Sequence, residues 1–179
     1  ATTDFDRDND QDLYISAGMF EGNHFVVNDG TGVFELHEPV EGDSLTVNLT
    51  SWAGTWFDMD NDGWEDLHVC TGFSTYTIWP GVFESYPSIP DKFFNNEGGI
   101  FYEENSGFFD VAALSFAAVT GDYNLDGFPD LVNNHVGVYA QVLKAIPNDN
   151  RWVKIRLEGT VSNRDGIGAK IRVYRNGLL

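Results

Sequence analysis

The sequence predicts an all-β fold assembled from repeated antiparallel sheets. Three observations carry this expectation: a composition rich in rings and glycine, an acidic loop that occurs three times, and a short alternating apolar run after each loop. The 179 residues include 14 Phe, 7 Tyr, 5 Trp and 19 Gly. Ala, Leu, Lys and Arg are scarce, which disfavours a helical bundle and suits strands joined by tight turns. With 42% hydrophobic and 21% charged residues the chain has the makings of a packed core, and wholesale disorder is excluded.

The first loop runs Asp4-Phe5-Asp6-Arg7-Asp8-Asn9-Asp10-Gln11-Asp12-Leu13, the second Asp58-Met59-Asp60-Asn61-Asp62-Gly63-Trp64-Glu65-Asp66-Leu67, and the third Asp122-Tyr123-Asn124-Leu125-Asp126-Gly127-Phe128-Pro129-Asp130-Leu131. Each has oxygen-bearing side chains at positions 1, 3, 5 and 9, a turn residue at 6 and Leu at 10. The starts are 54 and 64 residues apart, so the chain contains an internal repeat.

Carboxylates at alternate positions repel one another unless a cation sits among them. Calcium takes six to eight oxygens, and a curled loop can offer side chains 1, 3 and 5, the backbone carbonyl of 7 and carboxylate 9. The expected ligands are therefore Asp58, Asp60, Asp62, Asp66 and the Trp64 carbonyl in the second loop, and Asp122, Asn124, Asp126, Asp130 and the Phe128 carbonyl in the third. Asp4, Asp6, Asp8, Asp12 and the Asp10 carbonyl do the same in the first, giving two to three Ca2+ ions. The curl needs a left-handed residue at position 6, which Gly63 and Gly127 supply freely and Asn9 tolerates. No soft ligand is present, so zinc and copper are disfavoured, and magnesium prefers more water. A solvated acidic turn holding no ion is the plain alternative for any single loop. An EF-hand is excluded, because position 12 is Ile15, Val69 or Asn133 rather than Glu and the following segments read as strands.

Leu13-Tyr14-Ile15, Leu67-His68-Val69 and Leu131-Val132 are those strands. Gly-rich turns follow in two units, Asn28-Asp29-Gly30-Thr31-Gly32-Val33-Phe34 and Asn95-Asn96-Glu97-Gly98-Gly99-Ile100-Phe101, with Asn28 matched to Asn95. A unit then reads as loop, strand, hairpin, strand, and a strand feeding the next loop, which makes a four-stranded propeller blade. The second unit is longer by 13 residues within Gly72 to Asp91, a stretch that holds Tyr76, Trp79, Pro80, Phe83, Tyr86, Pro87 and Pro90. These rings either cover a blade edge or form a binding loop.

The formal net charge is −18, which repels nucleic acid and anionic lipid. No apolar run reaches membrane-spanning length. The charge is uneven: residues 1–143 carry 25 acids and only Arg7 and Lys92, whereas 144–179 carry eight basic residues and three acids. With Pro147 and Asn148-Asp149-Asn150, this shift marks a boundary. The expected division is 1–146 for the repeats, with units near 1–50, 51–114 and 115–146, and 147–179 for a C-terminal β segment. In that segment Val153, Ile155, Leu157, Ile171 and Val173 alternate with polar residues, which predicts two strands with these side chains buried. Single Cys70 excludes an internal disulfide and reads as a small buried apolar residue. His24, His37, His68 and His135 show no metal or triad spacing, and no nucleophile elbow or phosphate loop is present, so no enzyme is expected. Asn48-Leu49-Thr50 is a glycosylation sequon.

The runs DFDRDNDQDLYI, DMDNDGWEDLHV and DYNLDGFPDLV resemble the calcium loops of FG-GAP/VCBS repeats, which build the integrin α-subunit propeller and many secreted bacterial proteins. RWVKIRLEGTVSNRDGIGAKIRV is similar to the start of the ASPIC/UnbV module, which follows such repeats in proteins like cartilage acidic protein. The resemblance implies an extracellular, secreted or cell-surface, calcium-binding propeller of about seven blades without catalytic residues, used for adhesion or protein and matrix interaction. A carbohydrate-binding or accessory role is the alternative, with the aromatic loop as its surface. Three blades cannot close a ring, so the reading expects self-assembly or a remainder of the propeller supplied by further chain.

Overall fold

The computed structural model describes residues 1–18, 22–37, 45, 50–72, 89–104, 107, 109, 111, 113–161 and 163–174. Within them the chain is all-β, with eleven strands in three antiparallel sheets. The first sheet orders β1 (Thr2–Thr3), β2 (Asp12–Ile15), β3 (His24–Asn28) and β4 (Phe34–Leu36). The second orders β5 (Ser51–Phe57), β6 (Asp66–Thr71), β7 (Lys92–Glu97) and β8 (Ile100–Glu103), and the third β9 (Leu114–Gly121), β10 (Asp130–Val136) and β11 (Gln141–Leu143). Each strand pairs with its sequence neighbour, the meander of a propeller blade, and the three sheets form a partial β-propeller. Every acidic loop joins the first strand of a sheet to the second.

Packing between sheets explains the heavy use of aromatics. Adjacent Phe93 and Phe94 on β7 point to opposite faces, as the two-residue period of a strand requires. Phe94, Leu67, Val69 and Phe101 pack with Phe5, Tyr14 and Phe25 of the first sheet. Phe93 and Phe57 pack with Phe109 and with Leu131 of the third. Rings fill the gaps edge-on or stacked, with Phe5 and Phe25 at 4.8 Å and Phe93 and Phe109 at 5.0 Å between centroids. The Tyr14 ring lies so close over Gly54 on β5 that a β-carbon there would collide with it. Strand β6 is buried along its whole length, because both its faces are covered.

Two features differ from expectation. The hairpins are not equivalent at Asn28 and Asn95: Asn28 pairs with Phe34 across a five-residue loop, whereas Asn96 pairs with Phe101 and the next pair, Glu97 with Ile100, closes a two-residue turn at Gly98-Gly99. Both glycines have positive φ, 71° and 88°, as that tight hairpin demands. Asn96 is therefore the counterpart of Asn28.

The second difference is the C-terminal segment, where residues 150–161 and 163–174 form no strand. Val153, Ile155, Leu157, Ile171 and Val173 are exposed rather than buried. Alternation selects the buried face of a strand only when a neighbouring edge and a covering layer exist, and among the described residues neither lies beside these side chains. The aromatic stretch 73–88 and Asn48 of the sequon lie outside the described residues.

Candidate metal centres in three repeated loops

The three loops share one backbone pattern. The amide of position 6 donates to the position 1 carboxylate: Asn9 to Asp4 at 3.2 Å, Gly63 to Asp58 at 2.9 Å and Gly127 to Asp122 at 3.0 Å. The amide of position 5 donates to position 3, and that of position 7 to position 5. The latter bonds are Asp10 to Asp8 at 2.9 Å, Trp64 to Asp62 at 2.7 Å and Phe128 to Asp126 at 3.1 Å. Position 6 is left-handed in all three, with φ of 75° at Asn9, 93° at Gly63 and 90° at Gly127. Position 4 is left-handed too, at Arg7, Asn61 and Leu125. Three side chains so unlike give no sequence signal, so this second bend is visible only in the backbone.

Position 9 has a separate task. Asp12, Asp66 and Asp130 are the first residues of β2, β6 and β10, and all are buried. One carboxylate oxygen accepts the amide of position 2, from Phe5 at 3.3 Å, Met59 at 2.9 Å and Tyr123 at 3.1 Å. The other accepts from across the sheet: Asn28 at 2.9 Å, Asn96 at 2.9 Å and Ala145 at 3.0 Å. This bracket closes the loop and ties it to the third strand of its own sheet, or in the third sheet to the chain just after that strand. Ala145 is the third-sheet equivalent of the two asparagines, which no side-chain signature marks.

Among the described residues, two groups of acids bring carboxylate oxygens within 4.8 Å of one another: Asp4, Asp6 and Asp8, and Asp58, Asp60 and Asp66. Either could hold a metal ion. Asp62 and Asp12 stand outside these groups, and Asp122, Asp126 and Asp130 do not converge as a trio. Burial, then mutual repulsion among the acids, raises the pKa of Asp6, Asp58 and Asp60, with backbone donors opposing. Burial pushes Asp66 to about 7 against the donations of Asn96 and Met59. The charged form is thus disfavoured at these carboxylates, and a proton or a bound cation would relieve it. Asp126 differs: burial acts to raise it, but Phe128, Asn124 and Lys144 prevail and hold it low.

Neighbouring loops touch. The Arg7 guanidinium lies 4.1 Å from the Trp64 ring centroid, and Asn61 Nδ2 donates to the Gly127 carbonyl at 3.0 Å. The Asn96 amide group reaches the Phe5 carbonyl at 3.0 Å and the Glu65 carbonyl at 3.1 Å, and the Thr3 hydroxyl donates to Glu65. Asn148 and Asn150 both donate to the Asp60 carbonyl, at 2.8 and 3.0 Å. The loops form one acidic end to the stacked sheets.

A second polar cluster, which sequence spacing does not reveal, lies buried between the second and third sheets. Ser115 Oγ is 2.8 Å from both Asp91 Oδ2 and His135 Nδ1. Asn133 bonds Asp91 and approaches His68 Nε2 at 3.5 Å, and Cys70 Sγ lies 3.6 Å from Asn133 Oδ1. Burial lowers His68 to about 3 and raises the Cys70 thiol to about 12, so both are neutral. Long-range contacts brought these residues together, which no local motif announces.

No helix among the described residues is long and apolar enough to cross a membrane. No curated protein matches the chain. Residues 4–69, which span the first two acidic loops and most of the strand after the second, match the family described as FG-GAP-like repeat.

Proposed function

We propose that the chain is a non-catalytic, calcium-binding β module, secreted or displayed at the cell surface, that serves adhesion or protein and matrix interaction. The observation that carries the reading is the convergence of Asp58, Asp60 and Asp66, and of Asp4, Asp6 and Asp8, in loops of one shared backbone path. The donors are all oxygen, which favours a hard cation, and the several carboxylates per loop favour calcium over magnesium. The match of residues 4–69 to an FG-GAP-like repeat supports the same assignment. The non-catalytic reading is supported by the Ser115, Asp91 and His135 cluster. It is buried, and the serine rather than the histidine occupies the middle, so no base is poised between an acid and a nucleophile.

The test is a thermal melt with chelator and with added calcium. Extracellular modules bind calcium with Kd of about 10⁻⁴–10⁻³ M, and tenfold excess over Kd stabilises by ~1.4 kcal/mol per ion. Asp60→Ala should lose the increment of the second loop alone. Identical melting of the wild type in the two conditions would sink the proposal.

A further inference from the structure

The third loop departs from the other two in its charge. Position 3 is Asn124 where the others have Asp6 and Asp60, so the loop has one carboxylate fewer among its side-chain ligands. Both converging groups in the other loops contain the carboxylates of positions 1 and 3, a pair that this loop lacks. A lysine comes to it instead: Lys144 Nζ lies 3.4 Å from Asp126 Oδ2, the position 5 carboxylate, and Asn124 Nδ2 donates to the same oxygen at 2.9 Å. Among the described residues this is the ion pair that joins a lysine to a loop carboxylate.

The approach is built into the backbone. The amide of Ala145, the next residue, is fixed on the buried Asp130 carboxylate at 3.0 Å. The chain then crosses the loops, with Asn148 and Asn150 on the Asp60 carbonyl and the Trp152 indole against Gly127. Lys144 thus stands at one end of a strap whose other contacts hold it over the second and third loops.

We propose that Lys144 is the resident counter-ion of the third loop: its ammonium braces the loop without metal and competes with calcium for Asp126. The competition half of this inference rests on the calcium reading above; the bracing half does not. The third loop is then the weakest calcium site of the three. It keeps its shape at calcium concentrations that leave the other two unfilled.

The experiment follows amide exchange and amide chemical shifts of the full chain by NMR, comparing wild type, Lys144→Gln and Lys144→Arg. In chelator at low salt, Lys144→Gln should speed exchange at Asp126, Gly127 and Phe128 about two- to fivefold, the range for a half-exposed ion pair. Asp62 and Gly63 of the second loop should not change, and Lys144→Arg should resemble wild type. On calcium titration, Lys144→Gln should tighten the third loop by the same about two- to fivefold factor. Unchanged third-loop exchange in chelator overturns the proposal, and so does an unchanged or weakened third-loop affinity. If no loop takes calcium in any of the proteins, the functional reading falls, while the exchange comparison, which needs no ion, still decides the role of Lys144.

Discussion

Asp130→Ala tests whether the carboxylate at the mouth of each second strand is a backbone bracket. Its oxygens accept the amides of Tyr123 at 3.1 Å and Ala145 at 3.0 Å. Asp130 is 1% exposed and Ala145 7%, so the Ala145 amide cannot turn to water when its acceptor is removed. A buried donor left unsatisfied costs about 1–3 kcal/mol. The Tyr123 amide is only partly buried and recovers some solvation, so the pair should cost ~2–4 kcal/mol. For a chain of this size that is a fall in Tm of roughly 4–16 °C. Asp130→Asn keeps one acceptor and should fall between alanine and wild type. Asp126→Ala, which removes a more exposed carboxylate, should lower Tm by less than Asp130→Ala does. The assay is thermal unfolding by circular dichroism in chelator, so that no ion contributes. If Asp130→Ala melts with the wild type in chelator, the bracket carries no stability and the reasoning from the shared geometry of Asp12, Asp66 and Asp130 is refuted.

Phe101→Ala removes a fully buried ring packed 5.8 Å from Phe5, Phe25 and Trp56, and should cost ~3–5 kcal/mol in denaturant titration. Gly127→Ala places a β-carbon at φ +90° against the Trp152 indole, so it should shift tryptophan emission to the red and destabilise by more than ~1 kcal/mol. The Cys70 thiol, raised from 9.0 to about 12 by burial and then by Asp91, should resist thiol reagents until the chain unfolds. Its neutral form is favoured in the fold, so its contribution is intact below pH 9 and lost between there and about 12, at ~1.4 kcal/mol per pH unit. Alkaline melts of Cys70→Ala should lack that part of the slope; a slope equal to wild type would show that the thiol ionises freely.

The loops and the strands after them were legible because one set of residues marks both. Alternate carboxylates announce the turn, and the Leu at position 10 opens a strand that the structure extends to Thr71 and Val136. The hairpin register was not legible, since Asn95 and Asn96 are chemically alike and only the amide bond to Asp66 tells them apart. Arg7, Asn61 and Leu125 share a backbone bend and no chemistry. The two runs after Arg151 show the converse error: period-two alternation says which face a strand would bury, and is silent on whether a partner stands beside it. His68, Ser115 and His135 escaped because they are far apart in sequence and meet only through the packing of two sheets.

The division of labour within each loop has an evolutionary consequence. The ninth residue carries the ties beyond the loop, whereas positions 1, 3 and 5 accept amides within it. The outer acids and the strand mouth are therefore subject to different physical constraints. A descendant blade that lost its outer acids would give up the bonds that curl the loop and would keep the bracket at the strand mouth while one buried aspartate remained there. Searches for degenerate copies of this repeat should weight that aspartate and the Leu after it above the conspicuous run of acids before them.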